Sequence, residues 1–298
     1  MKYTHLMGAP QQILTRVLAS ILLLSAVALP QGGLPENGAD LPALITVGGR
    51  TGSCFMVSDT SREYCYIVSA RHVFFKDTAA HDLRGSTAGI SGYTHGSKYD
   101  LSVDLEALFN DGLLKADTSH DIAVARIGRF IIDSSGPRLI TERRYIQANK
   151  GSVGYPVRAG WSLLRGYDHA VVGNDVFIFG YPKSLGLGQS PLIEYDRPLI
   201  HKGIVAGKNP TKRTLVLDAA VYPGNSGGPV VEVERASGAD GFVVVGIVTD
   251  YVPFIDLWYD VTRDYTNTTV STSSYSIVEP LDPVLDIIRN WRTTPKTR

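Results

Sequence analysis

The sequence predicts an all-β fold, a sandwich or barrel, finished by one short C-terminal helix. Three observations carry this expectation. Short runs rich in valine and isoleucine recur along the chain, 30 glycines punctuate it, and no apolar period of 3.6 residues is sustained before residue 282. Closely spaced strands separated by turn residues indicate antiparallel sheets rather than alternating strand and helix units.

The runs fall into two groups. ALITVGG (43–49), SCFMVS (53–58), YCYIVSA (64–70), LSVDLEAL (101–108) and DIAVARI (121–127) form the first. DVFIFGY (175–181), GIVAGK (203–208), TLVLDAAV (214–221), PVVEVE (229–234) and GFVVVGIVTDYV (241–252) form the second. Strand signals thin out over residues 128–172, which divides the chain into a first β-unit at about 43–130 and a second at about 173–280. Residues 256–275 are polar and threonine-rich and read as a loop or irregular edge. Over 282–292, Val284, Leu285, Ile287 and Ile288 share one helical face and Pro283 suits the first turn. This helix is expected to pack back onto the second unit. No repeat of about 20–50 residues stands out, against a solenoid or propeller.

With 298 residues, 44% apolar and 19% charged, the chain has the make-up of an ordinary globular protein. Lysine plus arginine equals aspartate plus glutamate at 29 each. That balance gives no reason to expect a nucleic acid or an anionic membrane as partner.

Residues 17–29, VLASILLLSAVAL, form an apolar run behind Lys2 and Arg16 with no acidic residue before it. This is the pattern of a signal peptide over residues 1–30, with Ala26 and Ala28 offering small residues for cleavage. A helix of this length rises about 20 Å, short of a bilayer core. A secreted or periplasmic location is therefore expected. An uncleaved membrane anchor and a buried core helix are the alternatives. PQGGLPENGADLP follows as a flexible lead-in, to about residue 42.

Cys54 and Cys65 are the only cysteines. In an exported protein they suit a disulfide across a hairpin centred on SDTSR; the alternative is a pair of free, buried thiols. Their spacing makes no metal site, and neither metal nor cofactor is expected.

The chemistry concentrates in DAAVYPGNSGGPVV (218–231). Ser226 lies between Pro223-Gly224-Asn225 and Gly227-Gly228, directly before a strand. Glycines there leave a hydroxyl accessible and let backbone N–H groups point at a substrate oxygen. The N–H groups of Gly224 and Ser226 are the natural oxyanion donors; a glycine-rich hairpin turn is the alternative. A serine needs a base. Among seven histidines, His72 ends an apolar strand, YIVSARHVF, whereas His5, His81, His95, His169 and His201 lack such a setting. His120 adjoins Asp121, but neighbours on a strand point to opposite faces. Asp121 opens the strand DIAVARI, where an acid is costly unless partnered.

The order His72, Asp121, Ser226, in the contexts RHV, HDIAV and PGNSGGP, resembles the trypsin-like (chymotrypsin-fold) serine peptidases. Within them the chain is most similar to the bacterial branch related to the HtrA/Deg proteases. TGSCFMV and YCYIVSARHV match the strands before the family's histidine, FGYP (179–182) the start of its second barrel, and YSIVEP (275–280) its closing strand. The resemblance covers about residues 43–290. It implies two perpendicular six-stranded β-barrels with the triad in the cleft between them, within one peptidase domain at 43–292.

Three departures matter. Asn225 replaces the aspartate that receives the new N-terminus in digestive relatives, so activation by that route is not expected. No PDZ-type domain is expected after the closing strand. Ala220 stands where enzymes of basic specificity carry an acid, and Thr249, Asp250 and Tyr251 should wall the pocket, with Tyr251 restricting it to small or medium apolar side chains. The expected activity is hydrolysis of polypeptides by a serine endopeptidase. A catalytically idle or latent protease-like binding protein and a serine esterase are the competing readings. The nucleophile's place last in the triad order argues against an α/β-hydrolase esterase.

Overall fold

The computed structural model describes residues 36–59, 64–133, 136–140, 145–153, 156–182, 192, 194–236 and 239–293. The expected export segment, residues 1–30, lies outside them.

Among the described residues a first sheet holds ten strands: β1 (Pro42–Val47), β2 (Arg50–Ser58), β3 (Tyr64–Ala70), β4 (Thr87–Thr94), β5 (Ser97–Asp104), β6 (Leu114–Ala116), β7 (Ile122–Asp133), β8 (Gly136–Ile140), β9 (Ile146–Ala148) and β10 (Arg158–Gly160). Eight follow the order β6-β7-β3-β2-β1-β4-β5-β9, while β10 pairs with β2 and β8 with β7. The expected number was six. The surplus comes from short pieces such as β6, β9 and β10, of three residues each, too brief to show an apolar pattern. The β1–β2 hairpin turns on Gly48-Gly49, both with positive φ, the chemistry that a two-residue hairpin needs.

LSVDLEAL is not one strand. β5 stops at Asp104, whose carboxylate accepts the Ala107 N–H (2.9 Å) and caps α2 (Leu105–Asn110). A shorter helix, α1 (Arg71–Phe74), directly follows β3.

The second sheet is a closed barrel in the order β11-β12-β13-β16-β15-β14. Its strands are β11 (Asp175–Gly180), β12 (Leu199–Asn209), β13 (Thr214–Asp218), β14 (Pro229–Ala236), β15 (Ala239–Asp260) and β16 (Tyr265–Pro280). Val176, Ile178, Val205, Leu215, Leu217, Val230, Val243, Val245 and Val278 fill it. Closure gives each strand of the barrel two neighbours over part of its length.

Three further expectations are corrected. Residues 256–275 are not a loop: β15 and β16 continue past the barrel as a two-stranded ribbon, paired from Pro253↔Thr272 to Asp260↔Tyr265. Threonines and aromatics favour this extended state, and the alternation was unreadable because no core covers either face.

The C-terminal helix, α3 (Asp282–Thr293), keeps its first residue on the second unit, where Asp282 bonds Arg213 (3.3 Å) and the Tyr167 N–H (2.6 Å). It packs its length, however, against β7 of the first sheet. Trp291 stacks on Tyr66 of β3 at 5.8 Å and donates its indole N–H to Gly112 O (3.2 Å). A large aromatic with one polar atom settles where both are satisfied. Of its expected apolar face, Val284 and Ile288 are fully buried, Leu285 and Ile287 only partly.

Cys54 and Cys65 are free thiols, not a disulfide. The register pairs Ser58 with Cys65 and Phe55 with Val68, so Cys54 falls four rungs from Cys65. Four rungs span about 13 Å, well beyond the about 7 Å a disulfide tolerates. Burial pushes both thiols upward, Cys65 to about 12, with Arg158 opposing part of that rise.

Candidate active site

β3 delivers His72. After Ala70 the chain turns into α1, and the carboxylate of Asp121 takes up two of its donors. Asp121 Oδ1 accepts the His72 backbone N–H (3.0 Å), and Oδ2 lies 2.5 Å from His72 Nδ1. The Arg71 N–H donates to Asp121 O (3.1 Å), so backbone and side chain together lock the end of β3 to the start of β7. With Nδ1 engaged, Nε2 is the ring nitrogen left for proton exchange.

Arg71, which the sequence did not single out, braces this junction. Its guanidinium donates to Asp117 O (2.9 Å) and His120 O (3.0 Å), and its Nε lies 3.8 Å from Asp121 Oδ1. His120 turns instead to Asp117 (3.2 Å).

The turn before β14 delivers Ser226. Asn225 is fully buried; its N–H donates to Tyr222 O (2.9 Å) and its Oδ1 accepts the Tyr222 N–H (3.2 Å). Asn225 thus ties the turn to itself. Gly227 donates to Val248 O (2.7 Å) and Gly228 to Asn225 O (2.8 Å). Gly227 has φ of 85°, and a Cβ there would meet Ser69 Oγ at 2.1 Å. A Cβ on Gly228 would meet Phe179 O at 2.0 Å. The glycines are therefore required by space as well as by conformation.

Ser53, from β2, fastens the two sheets at this turn. Its hydroxyl donates to Gly224 O (2.7 Å) and accepts the Tyr181 N–H (3.0 Å), while its N–H donates to Ser226 O (2.8 Å). Ser69 Oγ donates in turn to Ser53 O (2.7 Å). Both serines are fully buried. A small serine inside an apolar strand carries no signal of its own, and sequence reading passed over both.

His72, Asp121 and Ser226 line one cavity of about 520 Å³. Thr249, Asp250 and Tyr251 line it too, as does Val221, whereas the adjacent Ala220 does not. Val248 and Ile277 add apolar wall, and Glu279 completes it. Glu279 is almost fully buried. Burial raises its carboxyl above the usual range; His120 opposes the shift, and Asp121 and Asp117 add to it. Among the described residues no group of three or more His, Cys, Asp or Glu side chains forms a metal cradle.

The cavity brings together a serine hydroxyl, an imidazole held by a carboxylate, and a glycine-rich turn. That combination can transfer a proton off the serine while backbone N–H groups receive negative charge. A family model described as the trypsin-like peptidase domain matches residues 52–246. No curated protein matches the sequence at a significant level. Among solved structures, the chain is similar to the HtrA-type protease AlgW at 17% identity and a TM-score of 0.45; the match covers 85% of this chain and 60% of that one. It is also similar to Rv3671c from M. tuberculosis (14% identity, TM-score 0.44, 90% and 98% covered). The protease Anisep from Arthrobacter nicotinovorans is a third (15%, 0.40, 82% and 91%).

Proposed function

Given that the chain belongs to the trypsin-like peptidase family, we propose that it is a serine endopeptidase with His72, Asp121 and Ser226 as its triad. The observation that carries the reading is Asp121, which holds both the backbone and the ring of His72 at the cavity that Ser226 lines. In this mechanism His72 takes the Ser226 proton as Oγ attacks the scissile carbonyl. The N–H groups of Gly224 and Ser226 receive the oxyanion, worth about 2.7–4 kcal/mol per donor. His72 then passes the proton to the leaving amine, and water, deprotonated by His72, releases the acyl group. Asp121 keeps Nδ1 engaged and offsets the charge of the imidazolium.

Val221, Val248 and Ile277 favour an apolar side chain before the scissile bond, with Tyr251 limiting its size. Turnover of unfolded protein and of a nitrophenyl ester by wild type and Ser226→Ala tests the reading. Protein hydrolysis that vanishes in the variant supports it; ester hydrolysis alone would favour an esterase, and no turnover a binding protein. Export belongs to the same proposal and rests on the apolar run 17–29. N-terminal sequencing of protein recovered outside the cytoplasm would show cleavage near Ala28.

A further inference from the structure

β15 has two partners only as far as Ile247. β14 pairs with it from Ala239 to Ile247, and β16 from Gly246 to Asp260. Val248 is still engaged, its C=O by the Gly227 N–H (2.7 Å) and its N–H by Gly228 O (3.0 Å). From Thr249 onward, among the described residues, one edge of β15 has no strand beside it. Thr249, Asp250 and Tyr251 at the start of that edge line the cavity with Ser226. The edge therefore runs directly out of the candidate active site, and the remaining residues to Asp260 extend it by about 30 Å.

The side chains along the ribbon are those of a binding surface. Residues opposite one another across an antiparallel pair share a face. One face carries Ile255 and Val270, Leu257 and Thr268, Tyr259 and Thr266, with no charged residue among them. The other carries Phe254, Trp258 and Tyr265 beside Asp256 and Asp260. Phe254, Ile255, Leu257, Trp258 and Tyr259 are 55–68% exposed. Large apolar side chains exposed side by side, rather than scattered singly, mark an interaction site. Asp256, Asp260 and Asp264 against Arg263 give the ribbon a net charge of −2 (three acids less one base).

Both ends of the ribbon are fixed. At its root Ser273 Oγ donates to Val252 O (2.6 Å). At its tip Asp260 Oδ1 accepts the Thr262 and Arg263 N–H groups, and the Tyr259 hydroxyl donates to Asp264 (2.7 Å). Two strands alone are marginal in water, and a third would steady them.

We propose that this ribbon is a docking rail for the polypeptide substrate: an extended, apolar, non-acidic stretch remote from the scissile bond adds to the free edge of β15. This rests on the cavity being where the bond is cut. An extended segment of the same chain meets the free edge, the apolar faces and the cavity together. Backbone hydrogen bonds supply affinity, alternate side chains supply preference, and the aspartates disfavour acidic segments. Pro253 offers no N–H, so regular pairing resumes beyond it.

The test compares a tetrapeptide anilide, too short to reach the ribbon, with reduced and carbamidomethylated lysozyme, which is long, unfolded and basic. The full chain is compared with a variant whose residues 253–272 are replaced by Asn-Gly, and with Ile255→Asp/Leu257→Asp, which keeps the ribbon but makes it polar. Both variants are expected to retain anilide kcat/KM within about twofold and to lose about tenfold or more on lysozyme, through KM. Equal losses on both substrates, or none on lysozyme, would overturn the rail. So would a dimer that the double substitution dissociates without changing lysozyme turnover. Binding of unfolded lysozyme to Ser226→Ala, with and without the ribbon, separates this proposal from the catalytic one. Ribbon-dependent binding by a protein whose wild type cleaves nothing would leave the rail standing and remove the triad; ribbon-independent binding would remove the rail.

Discussion

In the first sheet the residues at the cavity are held by side chains: Asp121 grips His72 twice, and the Arg71 guanidinium reaches the carbonyls of Asp117 and His120. In the closed barrel they are held by main chain, through the turn from Tyr222 to Gly228 and the space left by its glycines. The two designs fail differently. A side-chain clamp is undone by losing one charge or one hydrogen-bonding atom, while a main-chain turn is undone by one extra carbon. Ser53 joins them, and the proposed chemistry needs both.

The largest effects should follow from breaking the clamp. His72→Ala is expected to lower kcat by about 10⁶, as seen when a triad base is removed. Asp121→Asn should lower it by about 10⁴ with the fold intact, because an amide can hold the ring in the wrong tautomer. Steady-state kinetics beside circular dichroism checks both. On the barrel side, Gly228→Ala forces a Cβ toward Phe179 O and is expected to cost about 4 kcal/mol of stability, read in a denaturant titration. If Gly228→Ala were stable and merely slow, the turn would be less constrained by space than its contacts indicate.

Ser53→Ala sharpens the comparison at the seam. It strips partners from Gly224 O and the Tyr181 N–H, both buried, at about 1–3 kcal/mol for each unsatisfied group. Lower kcat with unchanged KM is expected, since the turn that carries the proposed oxyanion donors loosens.

The smallest effect concerns Glu279. Its carboxyl is raised above 4.5 in the folded chain, so the folded state holds this proton more firmly than the unfolded one. The stability it contributes is present below that value and lost as pH climbs through the raised one. Glu279→Gln should therefore show a slightly higher Tm than wild type at neutral pH and none of that advantage in acid. An advantage that grew on acidification would reverse the sign.

The same contrast explains what could be read in advance. Ser226 and its glycines were legible because a turn with these spatial demands tolerates few residue types. His72 and Asp121 were legible because a polar residue at the mouth of an apolar strand is costly without a partner. Ser53, Arg71 and Glu279 were not, since each owes its place to a partner far along the chain. The cysteine register depended on the turn joining β2 to β3, which spacing alone does not fix. The ribbon was missed because a strand pair outside the core leaves no inward–outward alternation. Trp291 reached the first sheet because Tyr66 and Gly112 O lay there, which no helical period reveals.

The most direct measurement is the rate at which a fluorophosphonate modifies the protein at neutral pH. Wild type should be labelled at Ser226, more slowly in Ser53→Ala and Asp121→Asn, hardly in His72→Ala, and not in Ser226→Ala. A wild type that resists the reagent, or labelling that survives in Ser226→Ala, would contradict an activated serine built jointly by the two sheets.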